Sequence, residues 1–136
     1  MIVSHGNVAR ELLAASEAVV GKMSNMAAIS IGWNDDVERA QAEIRAAIDS
    51  VSEGVGVLIL TDMFGGTPTN IAAMFLDSAD VEIVTGVNLP MVIKVASAGN
   101  SDTGLLEFAK EVEEQGKESI CRASTLLGPQ KMKKDA

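Results

Sequence analysis

Apolar and polar positions along the chain follow two rhythms. Short apolar runs at Ile2-Val3, Ala27–Ile31, Val57–Leu60 and Val81–Thr85 read as strands. The third run is uninterrupted, as suits a strand buried on both faces of a parallel sheet, whereas Glu82 breaks the fourth as it would near a sheet edge. Between the runs the spacing turns helical. Val8, Leu12, Ala15 and Val19 form one stripe, with Asn7 as N-cap and Gly21 as stop. Val37, Ala40, Ile44 and Val51 form another behind Asn34 or Asp35. Pro68 to about Leu76 and Pro90 to Ala98 are each opened by proline. Gly99 to Ser101 break the chain, a fifth helix carries Leu105, Phe108, Ala109 and Val112 and stops at Gly116, and Ser119–Ala123 is a candidate closing strand.

Strands alternating with helices call for an α/β fold: a doubly wound three-layer sandwich with a mainly parallel central sheet. Right-handed crossovers, with the third strand pairing on the far side of the first, give strand order 2-1-3-4 and put the first and third helices on opposite faces. The chain order then reverses between strands one and three, and ligands of such folds bind outside the carboxyl ends of the strands at that point. His5 and Asp62 end the two strands that border it. The first run is shorter than the usual five residues or so, as expected either of a sequence that begins late or of a start placed downstream of the natural one.

The stretch from Gly56 to Asn70, GVLILTDMFGGTPTN, concentrates the candidate chemistry. Asp62 follows the buried run, Gly65 and Gly66 permit a tight turn, and Thr67-Pro68 opens a helix. The amides of that turn and of the helix start suit an anion such as a phosphoryl group, with the Thr67 hydroxyl as a further donor. Each residue also has a plainer role open to it: the turn alone for the glycines, local capping for Thr67 and Asp62, and a backbone hydrogen bond for His5. Facing Asp62 across the crevice, however, the His5 ring would have one nitrogen fixed by the carboxylate and the other left as a nucleophile. Ser4, Gly6, Phe64 and Asn88 fall at the rim, Asn88 also as cap of the fourth helix. Trp33, after the second strand, is either a contact residue or half-buried beside a cap.

Composition narrows the classes. With 136 residues and 47% hydrophobic content one core is affordable, and one domain is expected over 1–128 with a polar tail over 129–136. A formal net charge of −8 argues against nucleic acid or anionic lipid as partner. No tract suits a membrane span or signal peptide, so a cytoplasmic location is expected. One Cys and one His leave neither a disulfide nor a metal cluster to build; Cys121 is expected to be a small core residue. No phosphate-binding loop with Lys-Ser/Thr, no dinucleotide fingerprint and no serine elbow occurs, so neither a nucleotide nor any other cofactor is expected and phosphate must come from another protein.

Val3-Ser4-His5-Gly6, Thr61-Asp62-Met63-Phe64-Gly65-Gly66-Thr67-Pro68-Thr69-Asn70 and Gly86-Val87-Asn88-Leu89-Pro90-Met91, in this order, resemble the IIA component of the mannose family of the bacterial phosphoenolpyruvate-dependent sugar phosphotransferase system. The resemblance implies a phosphocarrier. His5 would accept phosphate from the phosphohistidine of HPr and pass it to a separate IIB component, which serves sugar uptake with IIC and IID membrane subunits. Asp62 matches the family's neighbouring aspartate, and Gly65, Gly66 and Thr67 its phosphate loop. It also implies a homodimer whose C-terminal edge strand, here around Ile120, is antiparallel and exchanged between protomers. The alternatives are a stand-alone regulatory or sensing module that acts by protein binding without sugar transport, and, far less suited to these residues, an aspartyl-phosphate receiver built on Asp62.

Overall fold

A computed structural model describes residues 1–78, 80–98 and 102–132, with side chains as far as 128. The expected break at 99–101 and residues 133–136 of the expected tail lie outside the described residues. Four strands, β1 (Ile2–His5), β2 (Ala28–Ile31), β3 (Val57–Thr61) and β4 (Val81–Thr85), form one parallel sheet in the order β2-β1-β3-β4. The expected order therefore holds. The first strand is longer than its apolar pair suggests, because Ser4 and His5 continue it opposite Ser30 and Ile31 of β2. On the other side Val3 lies opposite Thr61, bringing the ends of β1 and β3 together.

Alternation along the strands feeds two cores. Val3, Ile29, Ile31, Val57 and Ile59 point to a face covered by α2 (Val37–Val51) and α3 (Thr67–Ala73) through Ala40, Ile44, Ile71 and Ala72, with Phe75 beyond them. Ile2, Leu58 and Leu60 point the other way, onto α1 (Val8–Val20), α4 (Leu89–Ser97) and α5 (Leu105–Glu118) through Ala9, Met91, Val92, Ala109 and Val112. Fully buried side chains such as Ile59 and Leu60 each contribute about 2 kcal/mol by leaving water. With α1 and α3 on opposite faces, the crossovers open the sheet between β1 and β3.

Local capping differs from the expectation in detail. Asp36, rather than Asn34 or Asp35, caps α2 by accepting from the Glu38 amide, while the Asp35 carboxylate accepts from Gly32. Asn7 makes no side-chain cap bond, and the buried Ser4 hydroxyl accepts from the Ala9 amide at 2.7 Å in its place.

The expected closing strand at 119–123 is not one in this chain. α5 runs past Gly116 to Glu118, and after Ser119–Arg122 a further helix, α6 (Ala123–Met132), begins, broken at Gly128 where φ is +69°. Gly116 is not a stop signal but a close-packing contact: a Cβ there would fall 2.6 Å from the Met91 sulfur. What remains between the helices is too short to turn back along β4, and a lone strand would leave its backbone groups unpaired. Cys121, expected in the core, is exposed for the same reason. Among the described residues no helix is long and apolar enough to cross a membrane.

Candidate functional site

β1 delivers His5 and β3 delivers Asp62 to adjoining points on the carboxyl edge of the sheet. The two residues are joined twice. Asp62 Oδ2 lies 2.8 Å from His5 Nδ1 and also accepts the His5 backbone N–H at 2.9 Å, while Oδ1 accepts from the Met63 amide at 3.1 Å. Burial by itself raises the Asp62 pKa, but the hydrogen bonds from the His5 backbone and ring and the charge of the ring outweigh it and hold the carboxyl below its ordinary value. An ionised carboxylate can only accept, so in the neutral ring the short contact requires the proton on Nδ1 and leaves the lone pair on Nε2. The His5 side chain is 45% exposed and that of Asp62 17%. The arrangement is thus a half-open imidazole whose inner nitrogen is held by the carboxylate and whose outer nitrogen is not.

The turn after Asp62 closes against the same ring. Gly65 has φ +80°, which glycine tolerates, and Gly66 holds the N-cap position of α3. A Cβ on Gly66 would lie 2.6 Å from His5 Cε1 and 3.2 Å from Nε2, so the backbone there rests on the ring edge. No side chain caps α3, and the amides of its first turn, Thr67 included, lack intrahelical partners. Phe64 is 82% exposed and lines a cleft that it shares with Thr69, Ile83, Asn88 and Ile120. Two residues expected at the rim serve the scaffold. Ser4 is fully buried, and Asn88 is the cap of α4, accepting from Met91 and donating to the Gly116 carbonyl, each at 3.2 Å. Gly6, with φ +48°, makes the turn after His5 and donates to Ile31. Trp33 is fully exposed. Among the described residues no group of three or more His, Cys, Asp or Glu side chains could hold a metal ion.

Residues 1–113 match the EIIA-man family, described as PTS system fructose IIA component. The chain belongs to this family. It is 31% identical over 126 residues to the PTS system mannose-specific EIIAB component of Escherichia coli K12, an alignment covering 88% of this chain and 38% of that protein. The PTS system fructose-specific EIIA component of Bacillus subtilis is 32% identical over 98 residues, covering 71% of this chain and 67% of its own. Among solved structures, the mannose/sorbose specific IIA subunit from Enterococcus faecalis superposes with a TM-score of 0.79 at 30% identity over 89% of this chain and 90% of that one. The chain spans well under half the length of the Escherichia coli relative.

In this IIA component sequence reasoning passed over one pair near the site. Thr61, at the end of β3, and Thr69, in the first turn of α3, are both buried, and their hydroxyl oxygens are 2.8 Å apart. Thr69 also reaches the Met63 carbonyl at 2.6 Å. The available signal was a threonine eight residues beyond another with a Gly-Gly turn between, a pattern that cannot be told from ordinary helix-start threonines without coordinates.

Proposed function

We propose that this IIA component is a phosphocarrier that accepts a phosphoryl group on His5 from phospho-HPr and passes it to a IIB component, which supplies sugar uptake through IIC and IID. The observation that carries the reading is the Nδ1–Asp62 contact, which leaves Nε2 as the free nucleophile of the chain's one imidazole. In the forward step the Nε2 lone pair attacks the phosphorus of the donor's phosphohistidine. The donor's P–N bond breaks as the new one forms, and the electron pair returns to the donor ring. His5, protonated on Nδ1 and substituted on Nε2, becomes a cation, which the Asp62 carboxylate stabilises. Gly65, Gly66 and Thr67 offer backbone N–H groups, and Thr67 a hydroxyl, to the phosphoryl oxygens. Transfer to IIB reverses these movements. Phe64 and Trp33, both exposed on the carboxyl edge of the sheet, suit contact with the partner surfaces.

Incubation with phosphoenolpyruvate, enzyme I and HPr is expected to give an acid-labile, base-stable phosphoprotein, with no label in His5→Ala. Normal labelling of that variant would overturn the assignment. The reading includes a homodimer: β4 ends the sheet, and Ile120, Leu126 and Leu127 beyond α5 are exposed apolar residues that crossing to a second protomer would cover. Light scattering is expected to give twice the chain mass; a monomer at all accessible concentrations would remove this part.

A further inference from the structure

The buried threonine pair has a direction that proton counting reveals. Thr69 has one hydroxyl proton, and the Met63 carbonyl, 2.6 Å away, can only accept it. The 2.8 Å contact between the two hydroxyls must therefore use the proton of Thr61. The result is a relay from Thr61 O–H to Thr69 Oγ1 and from Thr69 O–H to the Met63 carbonyl. Its anchor is rigid, because Thr61 is fully buried and its backbone carbonyl accepts from Val87 at 2.9 Å. Its free end is the Met63 carbonyl, in the peptide that joins the residue after Asp62 to Phe64. The relay thus spans the turn 62–66 from the strand that enters it to the helix that leaves it. That turn carries Asp62 at one end and Gly66, against the His5 ring, at the other.

We propose that Thr69 is a positioning residue: its hydroxyl fixes the turn so that Asp62 holds the proton on His5 Nδ1 and Gly66 stays against the ring. Its importance for phosphoryl transfer rests on the carrier reading above; the effect on the imidazole does not. Removing the hydroxyl in Thr69→Val keeps the shape of the side chain but leaves the buried Thr61 hydroxyl and the part-buried Met63 carbonyl without their partner, a state avoided by moving the turn. Loss of Asp62 from Nδ1 would then let the ring proton redistribute between the two nitrogens.

The chain's one imidazole makes the test unambiguous. Long-range 1H–15N spectra of the full chain, at a pH where the ring is neutral, are expected to show Nδ1–H in the wild type and in Thr69→Ser. In Thr69→Val the two nitrogen resonances should move toward each other as the tautomers mix. Phosphoryl uptake from phospho-HPr by Thr69→Val is expected to slow about five- to tenfold in kcat, with KM for the donor unchanged and Thr69→Ser restoring the rate. A wild-type tautomer in Thr69→Val overturns the proposal whatever the rate. Tautomer mixing in a protein whose wild type takes no phosphate would sustain the positioning role and remove the carrier reading instead. Should Thr69→Val fail to fold, Thr69→Cys, with its weaker donor, carries the same comparison.

Discussion

Two loops of this molecule are built alike and end differently. After β3 the chain runs through Gly65 (φ +80°) to Gly66, and after β4 through Gly86 (φ +78°) to Asn88. Gly66 and Asn88 are the N-caps of α3 and α4, both extended, with φ/ψ of −84°/164° and −131°/168°, and both precede a helix with proline in its first turn. At Asn88 the side chain closes the loop, accepting from Met91 and donating to the Gly116 carbonyl. At Gly66 no side chain exists, and the space holds the edge of the His5 imidazole. The backbone of Gly66 does not require glycine. The ring does. A cap filled by its own side chain makes a strut, and a cap left empty makes room for the ring of a neighbouring strand.

Filling the empty cap should give the largest effect. In Gly66→Ala the backbone stays in an ordinary extended conformation, so the new methyl acts only through its collision with His5 Cε1. The ring must shift by a substantial part of an ångström, and the rate of phosphoryl uptake is expected to fall roughly a hundredfold, as displacements of that size do. Stability should change by no more than about 1 kcal/mol, since the ring has solvent to move into. A variant that matches the wild-type rate would mean that the contact between Gly66 and the ring has no part in the chemistry.

Removing the carboxylate on the other side of the ring comes next. Asp62→Asn keeps an acceptor oxygen but loses the charge that would stabilise the proposed phosphohistidine cation, and transfer is expected to slow about tenfold in each direction. The pH dependence follows from the direction of the Asp62 shift. Its carboxyl is held below the ordinary value in the folded chain, so it favours folding above the unfolded-state pKa of about 3.9 and loses that contribution as the pH falls through the lower folded value. Acid titration of stability should therefore be shallower in Asp62→Asn below about pH 4. Equal acid sensitivity in the two proteins would count against the His5 hydrogen bonds as the source of the shift.

The contrast between the loops also marks what a linear pattern can carry. Strand order and the approach of β1 to β3 follow from apolar runs and the handedness of crossovers, and these alone place His5 beside Asp62. Side-chain destinations that cross between elements were not legible. Ser4 looks like a rim residue until its hydroxyl is seen on the Ala9 amide, and Thr69 looks like one more polar residue at a helix start. Gly116 shows the same limit most clearly. In the sequence it is a stop signal, but in the fold it is the point where α5 presses on Met91 of α4, and the helix runs on to Glu118, leaving only residues 119–122 before α6 where a strand is expected.

The smallest effect on function is expected at the filled cap. Asn88→Ala removes the acceptor for the Met91 amide and the donor to Gly116 together, leaving that amide and that carbonyl without these partners. Loss of an N-cap of this kind costs about 1 kcal/mol, and the tie to α5 adds a similar amount, so a fall of about 2 kcal/mol in unfolding free energy is expected by denaturant titration. Phosphoryl uptake by His5 should stay within about twofold of wild type, because the Asn88 side chain bonds only Met91 and Gly116, and the tie of this loop to the end of β3, from the Val87 amide to the Thr61 carbonyl, is backbone that the substitution keeps. A rate loss as large as that of Asp62→Asn would show instead that the cleft shared by Phe64 and Asn88 belongs to the transfer site, and the division between strut and site would have to be redrawn to include both loops.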